Sequence, residues 1–366
     1  MRNNVFKTFH SGQAVFFLML FICFIFAGAV LKLASIVFLP LTIAALLASA
    51  MYPLVRVLDK IKIPRFISIL LVVIIIVTGL YFFGMILFSS GRMIAAQYPK
   101  YEYRLTEIYV WIANLFELPY DQDLSFGANL WGQLGIRNWV RNFTFSLSNS
   151  VVSFVSEAVI VVLFVVFILM EANYFRDKLD TAFENRSARI NKIGHDVMSQ
   201  VTRYLTAKFL ISLANGLIYA IGFSIVKLEF AFVWGVIQFL LNFIPNLGSI
   251  VAGVVISLFA FIQFWPDPTP VIIVISIILA VNLILSNIFD PKIIGDHVGI
   301  SPLMILVSLA IWGWIWGFAG MVLAVPMTVI IKIVCENIPI MEPVSIILGS
   351  KKSVLTKKLE KEKQEP

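Results

Sequence analysis

Residues 230 to 266 run for thirty-seven positions without Asp, Glu, Lys, Arg or His, and Pro245 stands near the middle. A straight helix over this stretch would rise about 55 Å at ~1.5 Å per residue, against a hydrocarbon core of about 30 Å. The segment therefore breaks or folds back. The break falls at Ile244-Pro-Asn-Leu-Gly248, where Pro removes a backbone donor and Gly weakens a helix. Irregular backbone at membrane depth persists only where protein or a water-filled cavity satisfies it. A second run, 298 to 331, repeats the pattern over thirty-four positions, with Trp312-Gly-Trp-Ile-Trp-Gly-Phe-Ala-Gly320 at its centre. Two conformations are open to each run. One is a single long helix, tilted or kinked; the other is a re-entrant hairpin with its tip near Pro245 or near Gly317. The hairpin form puts Lys292 on the inner side and the cation-free Phe264-Trp-Pro-Asp-Pro268 outside, in better accord with the charge rule. Paired interruptions of this kind point to a transporter's binding region.

Composition sets the class. Hydrophobic residues make up 60% of the 366 residues and charged residues 13%, about half the charged share of a soluble domain. The expected fold is all-α: a polytopic integral membrane protein of about eight hydrophobic helical segments, two of them broken or re-entrant. Of the 28 Lys and Arg, twenty fall in the N-terminus, the 56–65 loop, the 173–208 segment and the end from Lys332. Alternating spans put these regions on one side, which the positive-inside rule makes the cytoplasm. The net charge of +7 is thus a topology signal, and no nucleic-acid partner is expected. Both termini are placed in the cytoplasm, and the chain in the bacterial inner membrane.

Five regions follow: a three-span part (1–91); an extracytoplasmic aromatic-rich segment (92–150); a fourth span with a cytoplasmic amphipathic helix (151–206); a transport region with the two broken helices (207–335); and a basic cytoplasmic tail (336–366). The 92–150 segment balances five basic against five acidic residues and interleaves Tyr and Trp. It reads as helical chain at the headgroup level or as a small cap with its own aromatic core. In 173–208, Ile190, Ile193, Val197, Val201 and Tyr204 fall near one helical face.

Chemistry-bearing motifs are few. The two cysteines, Cys23 and Cys335, lie in or beside apolar segments, and the three histidines are scattered without metal-ligand spacing. No nucleotide-binding loop or nucleophile elbow occurs. No catalytic residue, metal ligand or cofactor is therefore assigned, and a lipid-modifying intramembrane enzyme ranks below a transporter. Energy would come from an ion gradient or from the solute's own downhill flow; one charge crossing 100 mV is worth about 2.3 kcal/mol.

Polar residues inside the apolar segments form stripes. Gln238, Asn242 and Asn246 recur four apart, as do Asn282, Ser286 and Asp290, while Ser212, Asn215 and Tyr219 share a face of the fifth span. Each stripe alone could be interhelical bonding, worth about 0.6 kcal/mol per contact. Three together, beside two breaks, read as a site for a neutral, hydroxyl-rich solute. The candidate binding residues are Ser212, Asn215, Gln238, Asn242, Pro245, Asn246, Gly248, Asn282 and Ser286. Gly313, Gly317 and Gly320 are the candidate gate. Asp290 is the candidate coupling carboxylate for protons or sodium, or else an interfacial helix-end residue near Lys292.

Phe243-Ile-Pro-Asn-Leu-Gly-Ser-Ile-Val-Ala-Gly253, Asn287-Ile-Phe-Asp-Pro-Lys-Ile-Ile-Gly295, Val298-Gly-Ile-Ser-Pro-Leu303 and the stretch from Ser308 through Trp312-Gly-Trp314 to Thr328 resemble the autoinducer-2 exporter family of bacterial permeases. Pro40-Leu-Thr-Ile-Ala44 and Tyr52-Pro-Leu-Val-Arg56 resemble its N-terminal part. The resemblance covers most of the chain and is densest in its C-terminal half. It implies an oligomeric inner-membrane transporter that exports autoinducer-2 or a related small polar molecule. Some members of that family are assigned sodium/proton antiport instead, which would make Asp290 the carrier. Asp290 stands where the Trp-Gly-Trp subgroup usually has an acidic residue.

Overall fold

The structure is a computed structural model. It describes residues 11–116, 155–172, 187–289 and 299–350, together with 174, 178 and 180–182. The described chain is helical. In order come α1 (Ser11–Leu33), α2 (Ser35–Lys60), α3 (Arg65–Leu115), α4 (Val155–Ala172), α5 (Ser187–Ile225), α6 (Ala231–Leu241), α7 (Leu247–Phe264), α8 (Pro268–Val281), α9 (Pro302–Glu336) and the short α10 (Glu342–Leu348). Helix α8 continues as a π-helix over Asn282–Phe289. Seven helical stretches among the described residues are long and apolar enough to cross a membrane. Their outward faces carry large apolar side chains, from Ile74 and Phe82 to Leu258 and Ile272, as lipid contact requires.

Helix α3 does not stop where the apolar span ends. It runs unbroken for 51 residues, about 76 Å at ~1.5 Å per residue, more than twice a hydrocarbon core of about 30 Å. The aromatic-rich stretch from residue 92 thus begins as a projecting arm of the third helix; its continuation, 117–154, lies outside the described residues. The amphipathic segment and the fifth span likewise form one helix, α5, of 39 residues. Val201 and Tyr204 on its predicted apolar face are buried, and Ile193 and Val197 pack beside them.

Both long apolar runs fold back on themselves. In the first, α6 ends at Leu241 and α7 starts at Leu247. Trp234 and Phe230 of the entering arm lie 5.1 and 5.8 Å from the Phe259 ring of the leaving arm. Such pairs across a turn at 242–246 require antiparallel arms. In the second, α9 carries two non-helical residues, Trp316 and Gly317. The Ser308 hydroxyl donates to the Ala324 carbonyl at 3.0 Å. On a straight helix these residues would be about 24 Å apart. Residues 302–315 and 318–336 are therefore two arms of a second hairpin. Gly317 makes this turn with φ 60° and ψ −139°, backbone essentially reserved for glycine.

Three buried clusters hold the bundle. Val55, Val72, Val165 and Leu169 join α2, α3 and α4. Tyr219, Phe223, Ile256 and Val274 join α5 to the first hairpin and α8. Trp312, Trp316, Leu323 and Val329 of the second hairpin join α2, α5 and the first hairpin's tip residue Ile244. Two ends can be told apart. At the basic end, the Arg189 guanidinium caps the Asn337 carbonyl; nearer the middle of α2, the Thr202 hydroxyl donates to the Ser49 carbonyl at 2.9 Å. At the aromatic end, the α3 arm meets the loop before α6 and the chain after α7. The first hairpin has its feet at the aromatic end.

Candidate functional site

Two glycines set the geometry. A Cβ on Gly216 of α5 would lie 2.7 Å from the Gly235 carbonyl oxygen, and a Cβ on Gly235 would lie 2.5 Å from that of Gly216. Only hydrogen side chains allow backbones this close. The buried residues of α6, namely Ala231, Gly235 and Gln238, together with Asn242 at its C-cap, recur at helical spacing toward α5. The close crossing therefore brings Asn242 level with the next polar turns of α5.

The contacts follow that register. The Asn242 amide nitrogen donates to the Ser212 hydroxyl at 3.0 Å, and Asn215 donates to the Asn242 amide oxygen at 3.4 Å. Ser212, Asn215 and Gln238 are fully buried, and Asn242 nearly so. Tyr219, one turn along α5, donates to the Ile278 carbonyl at 3.4 Å, one turn before Asn282. Residues from all three predicted stripes thus meet around α5. Their hydrogen bonding is incomplete. Both amide atoms of Gln238, and the amide oxygens of Asn215 and Asn282, are buried without a protein partner. Buried amides normally find partners, because an unpaired one costs about 1–3 kcal/mol. Three spare acceptors and one spare amide donor, with no carboxylate among them, suit a neutral ligand that offers several hydroxyls.

The predicted stripe of Gln238, Asn242 and Asn246 is corrected at its last member. A shared face requires a continuous helix, and the helix ends before Asn246. That residue has φ 61° and ψ −49°, and the Leu247 N–H bonds back to the Pro245 carbonyl at 2.6 Å. This is a γ-turn of the strained, positive-φ kind. Asn246 is exposed at the hairpin tip and Pro245 half-buried. Gly248 is buried against the Leu241 carbonyl, where a Cβ would collide with backbone. The stripe from Asn282 is similarly altered. Its helix winds as a π-helix, where bonding partners are five apart rather than four, so α-helical spacing no longer defines the face. The backbone of Ser286 belongs to that π-helix; Asp290, the predicted coupling carboxylate, lies outside the described residues.

The candidate gate is the second hairpin's turn. Gly317 is its exposed apex. Gly320 presses on the Trp312 carbonyl of the other arm, and Gly313 faces Met321. Trp316 donates its indole N–H to the Leu31 carbonyl at 3.1 Å, tying the turn to α1. Deeper in the hairpin, the Ser308 and Thr328 hydroxyls lie side by side and converge on the Ala324 carbonyl, to which Thr328 donates at 2.7 Å. Sequence reasoning missed the Gly216–Gly235 crossing, although one glycine near the middle of each of two successive apolar helices was a usable signal.

Strain at Asn246 gives a direct test. A positive-φ conformation of this kind costs a residue with a Cβ about 1–3 kcal/mol, whereas glycine adopts it freely. No side-chain cap bond from Asn246 offsets the cost. Asn246→Gly is expected to raise the thermal unfolding midpoint in detergent, by the equivalent of about 1 kcal/mol after glycine's extra chain entropy. A lowered midpoint would mean that the Asn246 side chain stabilises its turn.

A bundle with seven helical stretches long and apolar enough to cross a membrane, among the described residues, is the architecture of a multi-pass membrane protein. The chain belongs to the AI-2E transporter family, whose sequence model matches residues 15–340. It is similar to a protein of Borreliella burgdorferi named provisionally for transport, at 30% identity over 92% of this chain and 91% of the relative. It is also similar to the AI-2 transport protein TqsA of Escherichia coli K12, at 27% identity over 87% of this chain and 91% of that protein. A third relative, YhhT of the same organism, provisionally named as a transport protein, is 28% identical over 86% of this chain and 89% of its own length. These relatives are named for transport, not for catalysis.

Proposed function

We propose that the protein is a secondary transporter exporting a small neutral solute rich in hydroxyl groups, with autoinducer-2 or a close chemical relative as its cargo. The observation that carries this reading is Gln238, fully buried with both amide atoms unpaired, beside the Ser212–Asn242–Asn215 chain. The name of TqsA supports the cargo class. In this reading the basic end faces the cytoplasm, and the first hairpin enters from outside, the second from inside. Their tips, 242–246 and 316–317, alternate in opening; Ile244 and Trp316 belong to one buried apolar cluster. Half-spanning hairpins of opposite sense are a recurrent way to expose backbone groups to a solute without exposing them to lipid.

The test is efflux of labelled solute from inverted vesicles containing wild-type, Asn242→Leu or Asn282→Leu protein. Each substitution removes one amide from the cluster, and a neutral hydrogen bond lost at a buried site is worth about tenfold in rate. Both variants are expected to slow efflux by roughly that factor. Wild-type rates in both would remove the polar cluster from the pathway.

A further inference from the structure

The arm of α3 at the aromatic end is bound to both feet of the first hairpin. At the entry foot, Lys100 and Tyr101 both donate to the Glu229 carboxylate. The Tyr101 ring packs on Phe230 and Phe259, with centroids 6.3 and 5.3 Å away. At the exit foot, Arg104 donates to the Trp265 carbonyl at 2.7 Å, and Trp111 meets the Trp265 ring edge-on at 5.0 Å. Lys100, Arg104 and Trp111 are spaced four and seven apart, so they share one face of α3. Gln263 closes the frame between the feet. It accepts from the Glu229 backbone N–H at 2.8 Å and donates to the Lys227 carbonyl at 3.0 Å. The α3 arm thus holds a hairpin at both feet, while the other end of that hairpin carries the exposed, strained Asn246.

We propose that Glu229, through Lys100 and Tyr101, is a positioning residue for transport: it latches the hairpin's feet to the α3 arm so that α6 keeps Gln238 and Asn242 seated against α5 while movement is confined to the tip. The latch itself stands on the contacts above; its effect on transport rests on the reading given under Proposed function. The charged and titratable groups in contact with Glu229 are Lys100 and Tyr101 on α3; Arg104 and Glu107 follow on the same helix, Lys227 precedes Glu229 in its own loop, and Asp267 lies beyond the exit foot. Arg104 pairs with Glu107 at 3.2 Å, and Asp267 caps the Thr269 N–H at 2.9 Å, so neither acid competes for Lys100.

The latch stays closed at working pH. Burial alone would push the Glu229 carboxyl up, but hydrogen bonds from Lys100 and Tyr101, and the charge of Lys100, outweigh it and hold the group below the usual carboxylate range. The Tyr101 phenol is pushed up, by burial first and then by its bond to Glu229 and the negative charge there, so it remains a donor. A depressed carboxylate keeps its charge above its ordinary pKa and loses it only as pH falls through the depressed value. From about pH 5 to 8 this device is therefore insensitive to protons.

The experiment compares Glu229→Lys, Lys100→Glu and the double charge swap in full-length protein in nanodiscs. It reads amide hydrogen exchange at residues 226–230 and 263–267, and solute efflux at pH 5.5 and 8. Each single variant sets like charges together and is expected to speed exchange at both feet roughly tenfold. Efflux is expected to fall by a similar factor, with equal loss at both pH values. The double swap restores both within about twofold. Unchanged exchange in the single variants, or no rescue by the swap, overturns the latch. Faster exchange with unchanged efflux overturns the positioning role. If wild-type protein moves no solute offered, the transport reading fails, and exchange with its rescue still decides the latch.

Discussion

Gln238→Leu is expected to make the protein more stable and, at the same time, a poorer transporter. Gln238 is fully buried, and neither its amide oxygen nor its nitrogen has a protein partner. An amide left unpaired in an apolar interior costs about 1–3 kcal/mol. Leucine fills a similar volume without that cost, so the unfolding free energy should rise by about 1 kcal/mol or more. If the amide exists to bind the solute, its loss should slow efflux roughly tenfold, the worth of one buried neutral hydrogen bond. Asn242→Leu is the informative contrast. Asn242 donates to Ser212 at 3.0 Å and accepts from Asn215, so its removal orphans two buried groups and should lower stability while also slowing efflux. Thermal unfolding in detergent and vesicle efflux, run on both variants, separate a residue kept for function from one that also holds the fold. A destabilised Gln238→Leu protein would show that the glutamine has a structural task. A stabilised variant with wild-type efflux would take Gln238 out of the path.

Such a residue is legible in sequence only as a polar letter in an apolar run. The class and helical nature of the fold were legible because lipid leaves few choices: 37 uncharged positions around Pro245 cannot form one straight span. Between long helix and hairpin the sequence left the choice open, since Gly317 reads alike as a mild kink or a full reversal. Only a cross-arm contact such as Ser308 to Ala324 distinguishes them. The stripes on α5 and α6 were legible where the helix is regular, and Ser212, Asn215, Gln238 and Asn242 do converge. Extrapolation failed at Asn246 because α-helical spacing was carried through a γ-turn. Beyond Asn282 the same assumption met a π-helix. The third helix hid its length differently. Charges and aromatic rings after residue 92 read as the end of a span, yet nothing in Arg92–Leu115 breaks a helix strongly except Pro99, which α3 accommodates. The Glu229 contacts join residues about 130 apart in the chain, a pairing that depends on tertiary placement alone.

The largest structural loss is expected from Gly235→Val. A Cβ at Gly235 would stand 2.5 Å from the Gly216 carbonyl oxygen and 2.8 Å from the Ala220 Cβ, well inside van der Waals contact at about 3.5–4.0 Å. The obstructing atoms belong to the backbone of α5 or are fixed directly on it, so no side-chain rotation clears the space. Helix α6 must instead move away by about 1 Å or more, and valine's branching at Cβ, which restricts its rotamers, stiffens the conflict. Overpacking of this kind costs about 1–3 kcal/mol or more. The displacement also stretches the 3.0 Å Asn242–Ser212 bond beyond useful range, since hydrogen bonds fade past about 3.5 Å. Stability and efflux should therefore fall together. Gly84→Ala is the control: its Cβ would meet nothing within 4 Å, and alanine favours the helix by about 0.5–1 kcal/mol. It should leave efflux unchanged and hold or raise the unfolding midpoint. Gly235→Val protein with the midpoint and efflux of wild type would mean that α6 does not rest on α5 at this glycine pair, and the site built on that crossing would fall with it.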